Sequence, residues 1–119
     1  MTLATIAPGM ASQRSLYQEV NVTELVDDAP TYVGQRLTVT GTVIDVGERD
    51  GKTAISLLVP VANEDRMEEV MVLYNGPVQE LPGGATLTAW GLGADAYIRG
   101  GFACGMMAIP LVEGEILEW

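Results

Sequence analysis

The side chains able to do chemistry in this sequence are few, and their types narrow the options at once. There is one cysteine, Cys104, with Met106 and Met107 close behind it, and the chain has no histidine at all. Three soft sulfurs in one stretch suggest a copper(I) site, but on a strand residues 104 and 106 share a face while 107 points away. The alternative is a buried, unreactive thiol in an apolar run. Without histidine, Ser-His-Asp and Cys-His catalysis, axial haem histidines and His-containing zinc sites are excluded. Carboxylates gather at Asp45, Glu48 and Asp50 and again at Glu64, Asp65, Glu68 and Glu69. Neither group has the Asp-x-Asp-x-Asp-Gly spacing of a calcium loop, so both read as solvated turns rather than a metal site. Carboxylates flanking a turn also lack the desolvation that would raise one pKa for acid–base catalysis. Gly91-Leu92-Gly93 has neither the later glycine nor the following helix of a dinucleotide fingerprint. The expectation is a protein that is not an enzyme, with no catalytic residues, no cofactor and no metal.

The residues left for recognition are aromatic. Tyr74, Trp90 and Tyr97 are the candidate ligand-binding residues, a stacking platform for a base, a sugar or a peptide side chain, with core or rim packing as the competing use. Aromatic residues make up 6% of the chain, so the platform is thinly supplied. Charge restricts its ligand: 16 acidic against 6 basic side chains give a formal net charge of −10. Such a field repels phosphate backbones and anionic lipid, so nucleic acid is disfavoured as a partner. Asn21-Val22-Thr23 matches a glycosylation sequon, although it sits where a helix cap is expected.

The elements that must hold these residues are short. A chain of 119 residues that is 48% hydrophobic and 18% charged has the length and composition of one globular domain. No apolar run approaches the ~20 residues of a membrane-spanning helix. Met1 to Gln13 lacks a basic segment ahead of an apolar one, so it does not read as an intact signal peptide. Residues 1–20 have no clean period and read as an extended N-terminal arm, ordered by Leu16 and Tyr17, ahead of a domain over 21–119. Asn21 followed by Glu24 marks a helix start, Val22, Leu25 and Val26 give it an apolar stripe, and Pro30 stops it. Alternation predicts strands over 36–46, 53–59, 69–74 and 85–92, with Asp50-Gly51 as a hairpin turn between the first two. Residues 93–101 read as a glycine-containing connection. Residues 102–111 form a fifth apolar run, and 112–119 continue as an edge strand or a tail. Gly41 falls on the core-facing parity of Leu37, Val39 and Val43, where it signals a bulge or a close backbone approach. Five short strands with internal glycines and one short helix predict an all-β fold, a small five-stranded barrel of the OB type with a short N-terminal helix.

The segment Tyr32-Val33-Gly34-Gln35-Arg36-Leu37-Thr38-Val39-Thr40-Gly41-Thr42-Val43, together with Val72-Leu73-Tyr74-Asn75-Gly76 and the strand ending Ala89-Trp90-Gly91, resembles bacterial OB-fold domains. The likeness is to the tRNA-anticodon-binding-like family and to the periplasmic haem chaperone of cytochrome c maturation. It spans roughly residues 21–92, as the extent of the matching patches. The resemblance implies the barrel, and for the chaperone an extracytoplasmic setting. It does not carry the cargo: the chaperone's haem histidine has no counterpart here, and stacked bases would need clustered Lys or Arg beside Tyr74 and Trp90. The function expected is therefore a binding or assembly module acting through protein contacts, with a protein partner or a homo-oligomer. The arm, the stretch 103–111 and the tail ending in Trp119 are the expected contact segments. The alternative is single-stranded nucleic acid or an oligosaccharide bound across the second and third strands.

Overall fold

A computed structural model describes residues 3–5, 10–61, 64–78, 80–101 and 105–119, with the backbone alone described for 10–11, 26, 49, 95–101 and 105–108. In chain order the elements are β1 (Leu3–Thr5), β2 (Gln18–Glu19), α1 (Val22–Asp27), β3 (Arg36–Arg49), β4 (Lys52–Pro60), β5 (Met67–Tyr74), β6 (Thr86–Gly101) and β7 (Gly105–Glu118). Short 3-10 turns at Met10–Leu16 and Ala29–Tyr32 complete the path. β3 pairs with β4, β4 with β5, β5 with β7 in parallel, β7 with β6, and β6 with β3, which closes a five-stranded barrel. That order, with its single parallel contact between the third and fifth barrel strands, is consistent with an OB-like fold. β1 and β2 are two extra strands laid on the edges of β7 and β3.

Alternation specifies the barrel wall. Leu37, Val39 and Val43 of β3 point inward to meet Ile55 and Leu57 of β4, Val70 and Val72 of β5, Leu87 of β6 and Val112 of β7, all within 4% exposure. Helix α1 adds Val22 and Leu25 to the same core. Its start is held by Asn21, whose side-chain oxygen accepts the backbone N–H of Thr23, so the sequon asparagine serves as a helix cap. The β3–β4 hairpin turns at Asp50 and Gly51, both with positive φ, as an Asp-Gly turn requires. Gly41 does occupy a close approach: a Cβ there would strike the main-chain carbonyl of Leu58.

Two expectations are corrected. Residues 93–101 are not a connection, because β6 runs on to Gly101 and pairs with β7 throughout, across a register shift between Ala94 and Tyr97. The glycine at which the connection was expected to begin is there for proximity: a Cβ at Gly93 would meet the Tyr32 carbonyl, just as one at Gly91, inside the expected strand, would meet the Glu113 carbonyl. Nor are residues 112–119 an edge or a tail. β7 is a central strand bonded to β5 and β6, and β1 covers its last residues. In the arm, Tyr17 is buried as expected, whereas Leu16 is 57% exposed. No helix among the described residues is long and apolar enough to cross a membrane.

Candidate binding face

Two of the aromatic candidates, Tyr74 and Trp90, are on opposite sides of the barrel wall. Tyr74 lies inside the barrel, 3% exposed, with its ring against Gly76. Burial pushes its hydroxyl pKa up. Trp90 is on the outside of the wall, half-buried, so the barrel wall separates the two rings. Tyr97 lies farther along β6, its backbone paired with Ile109, and its side chain is outside the described residues. So is the whole of Cys104, while Met106 and Met107 are placed only as backbone partners of Gly100 and Arg99. Of the two carboxylate groups, the second is laced by Arg66, which pairs with both Glu64 and Glu68.

Trp90 belongs to a different arrangement. The register of β3 against β6 sets Arg36 beside Leu92, Thr38 beside Trp90, Thr40 beside Thr88 and Thr42 beside Thr86. These outward positions follow from period-two alternation, since the intervening residues Leu37, Val39, Leu87 and Ala89 are buried inside. The hydroxyls of Thr40 and Thr88 hydrogen-bond across the strands at 2.9 Å. A cleft of about 340 Å³ opens here, lined by Glu19, Val20, Thr38, Thr40, Val59 and Trp90 among others.

The N-terminal arm frames this face. Arg14 sets its guanidinium 5.2 Å from the centre of the Trp90 ring and pairs with Glu118 at 2.9 Å. The Tyr17 hydroxyl donates to Glu115, and burial first, then that carboxylate, raises its pKa. Gln18 donates through Nε2 to Gln35, which ties β2 to the start of β3. At this end Leu16 and Val33 remain 57% and 48% exposed, beside a second open cleft lined by Leu16, Gln35, Arg36 and Leu92.

The face expected from the second and third strands is different. There Ser56 of β4 is paired with Met71 of β5, and the two are only 5% and 7% exposed. Sequence reading found the outward threonines of β3 but missed their pairing with Thr86, Thr88 and Trp90, which only the register reveals. It also missed Arg14, which lies 76 positions from the ring it covers; no local pattern signals such a contact. Scans against family models and curated proteins find no match for this chain.

Proposed function

We propose that this chain is a non-enzymatic OB-like binding and assembly module that makes protein contacts through the outer face of β2, β3 and β6. The observation that carries the reading is the contrast between a filled interior and an open outer face. The interior is packed with apolar side chains, leaving recognition to the surface. That surface carries the hydroxyls of β3 and β6 beside a half-buried tryptophan, and Leu16 and Val33 are exposed on the segments that precede β2 and β3. Apolar anchors beside satisfied polar groups are the ingredients of a protein interface. The resemblance to OB-fold families agrees with a binding role and is itself part of the proposal.

An oligosaccharide remains the second reading, favoured by Trp90 beside the hydroxyls of Thr38, Thr40 and Thr88. Nucleic acid has less support, since the arginine on the tryptophan is already matched by Glu118. The test is light scattering and chemical cross-linking of the full chain, alone and with candidate partner proteins. A complex that Val33→Lys or Leu16→Ser dissolves supports the reading. A chain that stays monomeric up to the highest soluble concentration and yields no cross-link from this surface refutes it.

A further inference from the structure

Beside this surface the sheet has a gap. β2 pairs with β3 only at Leu37 and Thr38, and β4 pairs with β3 only from Thr42 onward. Between them, among the described residues, Val39, Thr40 and Gly41 pair as a strand with β6 alone, and the Leu58 carbonyl and Val59 side chain of β4 close over Gly41, so the open stretch is Val39 and Thr40. Main-chain groups alternate in direction along an antiparallel strand. Val43 directs both of its groups to the β6 side, donating to the Ala85 carbonyl and accepting from the Gly84 N–H. Thr40, three residues away, therefore turns its N–H and C=O the other way, into the 340 Å³ cleft. The ladder cannot simply continue over it. Extending the Thr42–Leu58 register would bring Pro60 opposite Thr40, and proline, with a C=O but no N–H, offers no donor to the Thr40 C=O. On the other side the chain leaves β2 and turns at Asn21 to cap α1.

We infer that this gap is a docking slot for an extended, basic peptide segment of a protein partner, which adds its backbone to β3 at Thr40. The inference rests on the binding-module reading and names the kind of segment that module takes. Strand addition to an open edge uses the main-chain acceptor that Thr40 presents, which an N–H of the incoming segment would reach. The open stretch of two residues is about 7 Å long at ~3.3 Å per residue, a length suited to a short stretch of extended chain. Charge selects the sequence. Glu19 is exposed on the cleft, and no cation is among the described residues that line it. Arg14, which lies over Trp90 at the margin of the cleft, is paired with Glu118. The net charge of −10 draws a cationic segment in and repels an acidic one.

The test uses the full chain and fluorescent short peptides of alternating Lys and Val, their Glu-Val counterparts, and Lys-Val peptides N-methylated on either alternate set of residues. Maltohexaose serves as a neutral sugar probe. Binding is read by anisotropy, and its place by the amide resonance of Thr40 and the indole resonance of Trp90. The expected result is that Lys-Val peptides bind and shift both resonances, Glu-Val peptides do not, and one of the two N-methylated sets binds about tenfold more weakly, the effect of one or two lost hydrogen bonds. Glu19→Lys, an exposed substitution, weakens binding severalfold. Equal binding of both N-methylated sets, or an unmoved Thr40, overturns the slot. So does a response of Thr40 to the sugar alone, or to rising protein concentration without peptide. A failed slot with cross-links at Leu16 and Val33 intact leaves the module reading standing, whereas loss of both removes it.

Discussion

Leu37 and Thr38 are neighbours in β3, yet they belong to opposite sides of one wall and to different physical problems. Leu37 is wholly buried with Leu87 and Val39, where apolar contact supplies most of the stability of the barrel. Thr38, Thr40 and Thr42 face outward beside Trp90, Thr88 and Thr86, where a barrel of this size needs nothing in particular. Threonine satisfies strand propensity there without adding charge. In an acidic protein, a row of three threonines on one wall is a composition that packing does not require. The difference teaches that side-chain identity on the inner face answers to packing, and on the outer face to whatever meets it.

Substitution at the inner residue breaks the comparison most sharply. Leu37→Ala should cost about 2–5 kcal/mol, the usual range for a fully buried leucine, measured by urea denaturation. Gly93→Ala should follow at about 1–3 kcal/mol, because the new methyl must displace the Tyr32 carbonyl. A fully stable Gly93→Ala would mean that the β6 path is not held by that approach. On the outer side, Arg14→Ala removes a half-exposed ion pair and the cover on Trp90, together about 1 kcal/mol, with part of the loss vanishing at high salt.

Alkaline pH gives a subtler distinction. Burial raises the pKa of Tyr74 in the folded state. A raised folded pKa contributes stability below the unfolded value near 10, and that contribution is lost as pH rises through the folded value. Melting temperature should therefore fall above about pH 10, and Tyr74→Phe should flatten that fall while leaving neutral stability little changed. The smallest effect belongs to the outer row. Thr88→Val should move stability by less than about 0.5 kcal/mol, so any change it causes in partner binding can be assigned to the surface itself.

The contrast also explains what could be read from the sequence. Inner alternation at Leu37, Val39 and Val43 made β3 visible, and the Asp50-Gly51 turn joined it to β4. The far half of β6 was hidden because Gly93 looks the same whether it breaks a strand or lets another backbone approach it. β7 was hidden for a related reason, since whether a strand is central depends on its neighbours. The candidate face was half legible: Thr38, Thr40 and Thr42 share a parity, but their partners on β6 follow from register, and Arg14 arrives from the distant arm. The gap at Thr40 depends on where β2 stops and where Pro60 interrupts β4. That is a relation among three segments which no single window contains.

The place of β7 in the wall has a consequence for how the molecule comes into being. β7 is the last described strand, yet it joins β5 to β6 and receives β1. During synthesis the β3–β4–β5 meander emerges first and can pair locally, but the ring stays open until residues 105–118 are available. Until then the inner faces of β3 to β6 lack their closing strand. Folding should therefore be slow, limited by long-range pairing, and the nascent chain should be most prone to aggregate just before β7 emerges.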